Sequence, residues 1–138
     1  MGFYFPGHNA GYFANTPDDA PVRTIFFYEA LCVVSALLWA TELPATPCRI
    51  LIHTDSLNAV EMFHSLKAQK GYNNLLLFMT RLLLHTKTSV RVYHIDGNSN
   101  VVADALSQSL FDLALHRHLG LKIRMFQPPR DALGVVNL

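Results

Sequence analysis

The stretch RILIHTDSLNAVEMF, residues 49–63, changes its period half-way along. Residues 49–54 form a short β-branched and apolar run of the kind that makes a strand. From Leu57 onward the apolar side chains fall at Leu57, Val60 and Phe63, the spacing of one face of a helix. Asp55 and Ser56 stand at the change of period, and either can cap the helix by accepting its unpaired backbone N–H groups. A strand running straight into a helix is the unit of mixed α/β folds, and here it leaves Asp55 at the strand's C-terminal tip.

The flanking segments extend the same pattern. GFYF (residues 2–5) and GYFA (11–14) are aromatic and β-prone, with turn residues between them, and read as a hairpin. After a loop containing Pro17, Asp18, Asp19 and Pro21, residues 25–42 are apolar almost all the way round. This predicts a helix covered on most sides, with Glu29 at least partly buried. Downstream, Gly71 is expected to end the helix that starts near Leu57, and Asn73 or Asn74 to cap a helix over residues 75–86. SVRVYHI (89–95) alternates as a strand. Asp96 and Gly97 turn the chain, and Ser99 or Asn100 is expected to cap one last helix running through Asp104 toward Gly120. The order is β-β-α-β-α-α-β-α, followed by a tail with Pro128, Pro129 and the apolar end LGVVNL (133–138). The fold class that follows is α/β, a mixed β-sheet with helices packed against it.

Composition sets the outer bounds. A chain of 138 residues, 51% hydrophobic and 15% charged, suits one globular domain with a sizeable core, and it contains no repeat and no low-complexity linker. Its formal net charge of +1 conceals an asymmetry. Residues 1–48 hold one cation, Arg23, against four acids, whereas residues 49–138 hold ten Lys and Arg against six Asp and Glu. A polyanion would therefore prefer the later segment. Cys32 and Cys48 fit neither a disulfide framework nor a zinc ribbon and read as reduced thiols of an intracellular protein, cytoplasmic or nuclear. MGFYFPGHN lacks the basic start and apolar core of a secretory signal. Residues 25–40 are short of the roughly 20 apolar residues of a membrane span and contain Glu29, so no membrane association is expected.

Three carboxylates, Glu29, Asp55 and Asp104, lie beside apolar stretches and near element ends. Each has a plain structural explanation: a helix residue reaching water, an N-cap, and a helix-start acid favoured by the dipole. Acids at such positions in α/β sheets tend to share a crevice, and gathered acids repel one another unless a hard cation such as Mg²⁺ neutralises them. Other candidates are weaker. His116 and His118 are two apart and point to different helix faces, unlike a helical zinc pair. His53 shares a strand face with Asp55, and the plainer reading is a histidine lying beside the site. Lys67 and Lys70 are placed to meet phosphates or simply to solvate a face.

FFYEALCVVSALLWA, LIHTDSLNAV and VYHIDGNSNVVADALSQ resemble, in that order, the Glu-bearing helix, the TDS/TDN strand end and the HxxGxxNxxADALS segment of ribonuclease H domains from retrotransposon polyproteins. The resemblance covers about residues 1–110, and the last motif is the most specific. It implies a ribonuclease H-like mixed β-sheet with helices on both faces, and Mg²⁺ (or Mn²⁺) held at Glu29, Asp55 and Asp104. It also implies hydrolysis of the RNA strand of RNA–DNA hybrids by two-metal chemistry. On the same basis Ser56, Asn58, Lys67, Lys70, Asn98 and Asn100 would face the nucleic acid.

The family's first strand, central in its sheet, carries a further Asp upstream of the segment that GFYFP resembles. The loop position after Gly97, often His in the family, is Asn98 here, which cannot shuttle a proton at neutral pH. The expectation is a domain over residues 1–120 with its central strand missing or replaced, a two-metal site that is incomplete, and weak or absent activity for the isolated chain. The alternative function is a catalytically impaired fold that binds nucleic acid or protein. The tail, residues 121–138, is expected to complete the sheet through LGVVNL or to make a dimer contact, with homodimerisation through unpaired sheet edges as the second repair.

Overall fold

The computed structural model describes residues 1–45 and 48–134. It is a mixed α/β structure, as the sequence pattern requires. A hairpin, β1 (Gly2–Phe5) and β2 (Ala10–Phe13), is closed by a 3₁₀ turn over Pro6–His8, with Asn9 in the left-handed conformation. The helix α1 (Ile25–Thr41) follows, then β3 (Arg49–Thr54), α2 (Leu57–Ser65), α3 (Asn73–Thr86) and β4 (Ser89–His94). The chain closes with α4 (Val101–Ser107), α5 (Phe111–Arg117), β5 (Lys122–Met125) and a 3₁₀ turn over Arg130–Leu133.

The strands form two sheets. β1 pairs antiparallel with β2, and β2 pairs parallel with β5. β3 and β4 form a separate parallel pair, with Ile50 opposite Val90 and Ile52 opposite Val92. Helix α1 underlies both. Its Phe27, Leu31, Val34 and Leu37 are fully buried in a core shared with α2, α3 and the inner face of β3–β4. Ala36 and Trp39 of the same helix pack against Phe3, Tyr12 and Phe126 on one face of the first sheet. The other face of that sheet is covered by α4 and α5, through Val102, Leu106 and Ala114 against Tyr4 and Ile123. A helix that serves both sheets must be apolar on nearly every side, which is what its sequence shows.

The start of α1 is fixed by Thr24, whose Oγ1 accepts the Phe27 N–H at 3.2 Å and is 2.7 Å from the Tyr72 hydroxyl. Ser35, fully buried in the middle of α1, returns its hydroxyl to the Leu31 carbonyl at 2.8 Å and so leaves no unpaired polar group in the core. The Arg130 guanidinium bridges Asp19 at 2.5 Å, tying the last turn to the loop before α1 and holding the Asp19 carboxyl below its usual range through that hydrogen bond.

Several local expectations are corrected. Helix α2 stops at Leu66, a left-handed residue whose N–H bonds the Met62 carbonyl, five residues before Gly71. Helix α3 begins at Asn73, with Tyr72 in the cap position and no side-chain cap from either Asn. Tyr72 is instead held by its stack on Phe26, ring centroids 4.8 Å apart, and by its bond to Thr24, so packing sets this helix start. The single last helix is two, because Ser109 adopts a left-handed conformation and the Leu110 N–H turns back to the Ala105 carbonyl at 2.8 Å. Asn100 stands at the cap position of α4 without a side-chain cap bond. Within LGVVNL, Leu133 is buried against the α1–α3 core and Gly134 lies against Asn74, while residues 135–138 lie outside the described residues. Among the described residues no helix is long and apolar enough to cross a membrane.

Candidate functional site

A cavity of about 890 Å³ separates the two sheets. β1 forms one wall and β3 the other, a stripe of α1 lies along it, and one face of α4 lies across from that stripe. Glu29, Asp55 and Asp104, which come from three separate segments of the chain, all line it.

The local structure explains each placement. Glu29 lies in the second turn of α1, half-buried, on the helix face that includes Ile25, Cys32 and Ala36. Asp55 is exposed at the tip of β3 because the capping role falls to its neighbour: Ser56 Oγ accepts the Ala59 N–H at 3.2 Å and the Thr54 Oγ1 accepts the Ser56 N–H. The Asp55 carboxylate is thereby left to the cavity mouth, where the next chain it meets is the turn at Gly97, whose Cα would place a side chain 3.8 Å from Asp55 Oδ2. Asp104 is exposed in the first turn of α4 and accepts a hydrogen bond from Gln108 Nε2 at 3.1 Å. Neither Glu29 nor Asp55 is in an ion pair among the described residues.

Of the other residues expected to meet nucleic acid, Asn100 lines the cavity beside Asp104. Asn58, Lys67, Lys70 and Asn98 are exposed away from its lining, and Ser56 is buried with its hydroxyl committed to the helix cap. The three acids are not packed into a ready-made chelate: among the described residues, no three His, Cys, Asp or Glu side chains are grouped closely enough to hold a metal ion. Like charges facing one cavity without counter-ions favour separation of the carboxylates, and a cation or cationic group between them would relieve that repulsion.

No family model, curated protein or solved structure matches the chain. What the cavity can do is therefore read from its own residues.

Cys32, Gly2 and Arg49 also line the cavity, and sequence reasoning missed all three. The Cys32 thiol donates to the Gly2 carbonyl at 3.3 Å. Burial pushes it up to about 11, against the pull of the Met1 ammonium and the Gly2 hydrogen bond, so it is a protonated thiol at neutral pH rather than a nucleophile. Gly2 is where α4 touches β1: a Cβ there would meet the Ser107 amide nitrogen at 2.5 Å and the Ala103 carbonyl at 2.8 Å. The sequence signal for Gly2 was its place before an aromatic strand, which does not by itself reveal a helix crossing above it.

Proposed function

We propose that this chain is a ribonuclease H-like domain of retroelement type, directed at the RNA strand of RNA–DNA hybrids and dependent on Mg²⁺ or Mn²⁺. The observation that carries the reading is the convergence of Glu29, Asp55 and Asp104, 26 and 49 residues apart along the chain, on one cavity wall system. The donor set fits such an ion in kind, being all carboxylate oxygen, and Mg²⁺ characteristically takes only one or two protein carboxylates and keeps several waters. Glu29, Asp55 and Asp104 would hold it, and when bound it would supply positive charge to the entering and leaving oxygens of a phosphodiester.

The chain's own residues contribute position and access. Asp55 is presented at an exposed strand tip, at the end of the paired strands β3 and β4. Asn100, on the same side as Asp104, offers an amide that can both donate to and accept from a sugar or base edge. The excess of Lys and Arg after residue 48 favours approach of a polyanion from that part of the chain.

The test is cleavage of a labelled RNA–DNA hybrid with Mg²⁺ or Mn²⁺, compared with Asp55→Asn. Metal-dependent cutting that falls about 100-fold or more in the variant supports the enzyme, a loss of the size seen when one charge-stabilising group is removed from a site. A second reading, a catalytically impaired nucleic-acid-binding module, is favoured by Asn98 in the loop after Gly97, a side chain that cannot shuttle a proton at neutral pH. Hybrid binding without cutting would support it.

A further inference from the structure

We infer that the outer face of the β3–β4 pair, the face turned away from α1, is a stacking platform for single-stranded nucleic acid. Tyr93 and His53 would receive the faces of one or two bases, and Arg49 and Arg91 would meet the phosphates. The inference goes beyond the proposed cleavage and needs neither a divalent ion nor Glu29, Asp55 and Asp104.

The strand period decides which side chains stand on that face. Ile50, Ile52, Val90 and Val92 pack into the core with α1, so their neighbours in sequence point the other way. The parallel register then sets out three rows: Arg49 beside Ser89, Leu51 beside Arg91, and His53 beside Tyr93. The rows span about 13 Å along the strands at ~3.3 Å per residue. All six residues are exposed, Leu51 at 60% and Tyr93 at 45%. The first sheet is covered on both faces, by α1 on one side and by α4 and α5 on the other. Parallel strands are almost always covered on both faces, and here a parallel pair lies open on one.

The chemistry of the face selects its occupant. The His53 and Tyr93 rings lie 5.8 Å apart and within 29° of parallel, a pair of flat surfaces of the kind on which bases stack. Leu51 extends the apolar strip by one row. Arg49 and Arg91 flank the strip, and neither is in an ion pair among the described residues. The face carries no acid along its three rows; Asp55 stands beyond them, at the tip of β3. Two guanidinium groups beside exposed rings therefore match a polyanion that also has aromatic faces.

Other occupants fit less well. A second copy of the chain laid face to face would gather four guanidinium groups in one interface with no acid on the face to pair them. An acidic peptide would satisfy Arg49 and Arg91 but leave the two rings without a stacking partner. In a duplex the bases already stack on one another and their faces are hidden, so the rings favour a single strand. The Ser89 hydroxyl is given to the Cys48 carbonyl at 3.4 Å, so recognition falls to the rings and guanidinium groups. These read neither base identity nor the sugar, and the platform takes DNA and RNA single strands alike.

The experiment uses the whole chain in EDTA, so that cleavage plays no part and its absence does not bear on the result. Fluorescent octamers of deoxythymidine and of uridine are compared by anisotropy with an abasic deoxyribose-phosphate octamer of the same charge. Each base-bearing octamer should bind about 10-fold or more tighter than the abasic one, a difference of about 1.4 kcal/mol. Tyr93→Leu should remove most of that preference while Tyr93→Phe keeps it, with circular dichroism showing both variants folded. Arg91→Ala should weaken all three octamers and reduce the slope of log affinity against log salt by about 0.7, the share of one phosphate contact. Amide shifts on binding should centre on Leu51, His53, Arg91 and Tyr93. Failure to bind, equal binding of base-bearing and abasic octamers, or an unchanged preference in Tyr93→Leu would overturn the inference. So would shifts centred on Lys67 and Lys70, or sedimentation as a dimer with Tyr93 protected, which would give the face to a second copy.

Discussion

Replacing Gly2 by Ala probes the joint between the first sheet and the helix that carries Asp104. The added methyl would lie 2.5 Å from the Ser107 amide nitrogen, 2.8 Å from the Ala103 carbonyl oxygen and 2.8 Å from Leu106 Cβ, where ordinary contact begins at 3.4 Å. Two of these three neighbours are helix backbone, so no side-chain rotation relieves the clash, and α4 or β1 must move by about 0.9 Å. Overpacking of this kind costs about 1–3 kcal/mol, and the rigid neighbours place this site toward the upper end. For a domain of this size that lowers the melting temperature by about 8–12 °C. Gly7→Ala is the matched control, since a Cβ there meets nothing within 4 Å and its backbone is not left-handed. Thermal unfolding followed by circular dichroism measures both. A Gly2→Ala protein melting within about 1 °C of the parent, or falling no further than Gly7→Ala, would refute the close packing of α4 on β1.

Ser56→Ala should destabilise the protein by about 1 kcal/mol through loss of the α2 cap, measured by urea denaturation, while Asp55→Ala should cost less because Asp55 caps nothing. Leu37→Ala, in a fully buried position of α1, should cost about 2–5 kcal/mol in the same assay. Cys32 gives a pH dependence. Its folded value is raised to about 11 by burial, so between about pH 9 and pH 11 the unfolded chain gives up a proton that the folded chain keeps, and stability falls as pH rises through that window. Cys32→Ala should flatten the decline. An identical slope in parent and variant would show that the thiol is not buried in solution.

The elements were legible in the sequence where periodicity and burial agree. β3 and the change to helix at Ser56 follow from the apolar run of residues 49–54 and the spacing of Leu57, Val60 and Phe63. The all-round apolarity of α1 follows from its packing on two sheets at once. What could not be read is set by tertiary contacts or backbone conformation that residue type does not announce. Leu66 and Ser109 adopt left-handed conformations that glycine would have signalled, and Tyr72 replaces the expected asparagine cap through its ring contacts. β5 was hidden because KIRM carries two cations in four residues and pairs only at the outer edge of β2. At the site, the three acids could be proposed together from their positions. Ser56, expected both as a possible helix cap and as a contact to nucleic acid, commits its hydroxyl to the cap, and the cavity's Gly2 and Cys32 are ordinary core residues by type.

The most direct test of the account is where a divalent ion binds. Isotope-labelled protein titrated with Mn²⁺ should lose, at the lowest metal concentrations, the amide signals around Glu29, Asp55, Gly97 and Asp104, and Asp55→Asn should weaken that broadening. Broadening centred instead on the surface acids Asp18, Asp112 or Asp131, unchanged by Asp55→Asn, would contradict the claim that Glu29, Asp55 and Asp104 act as one site.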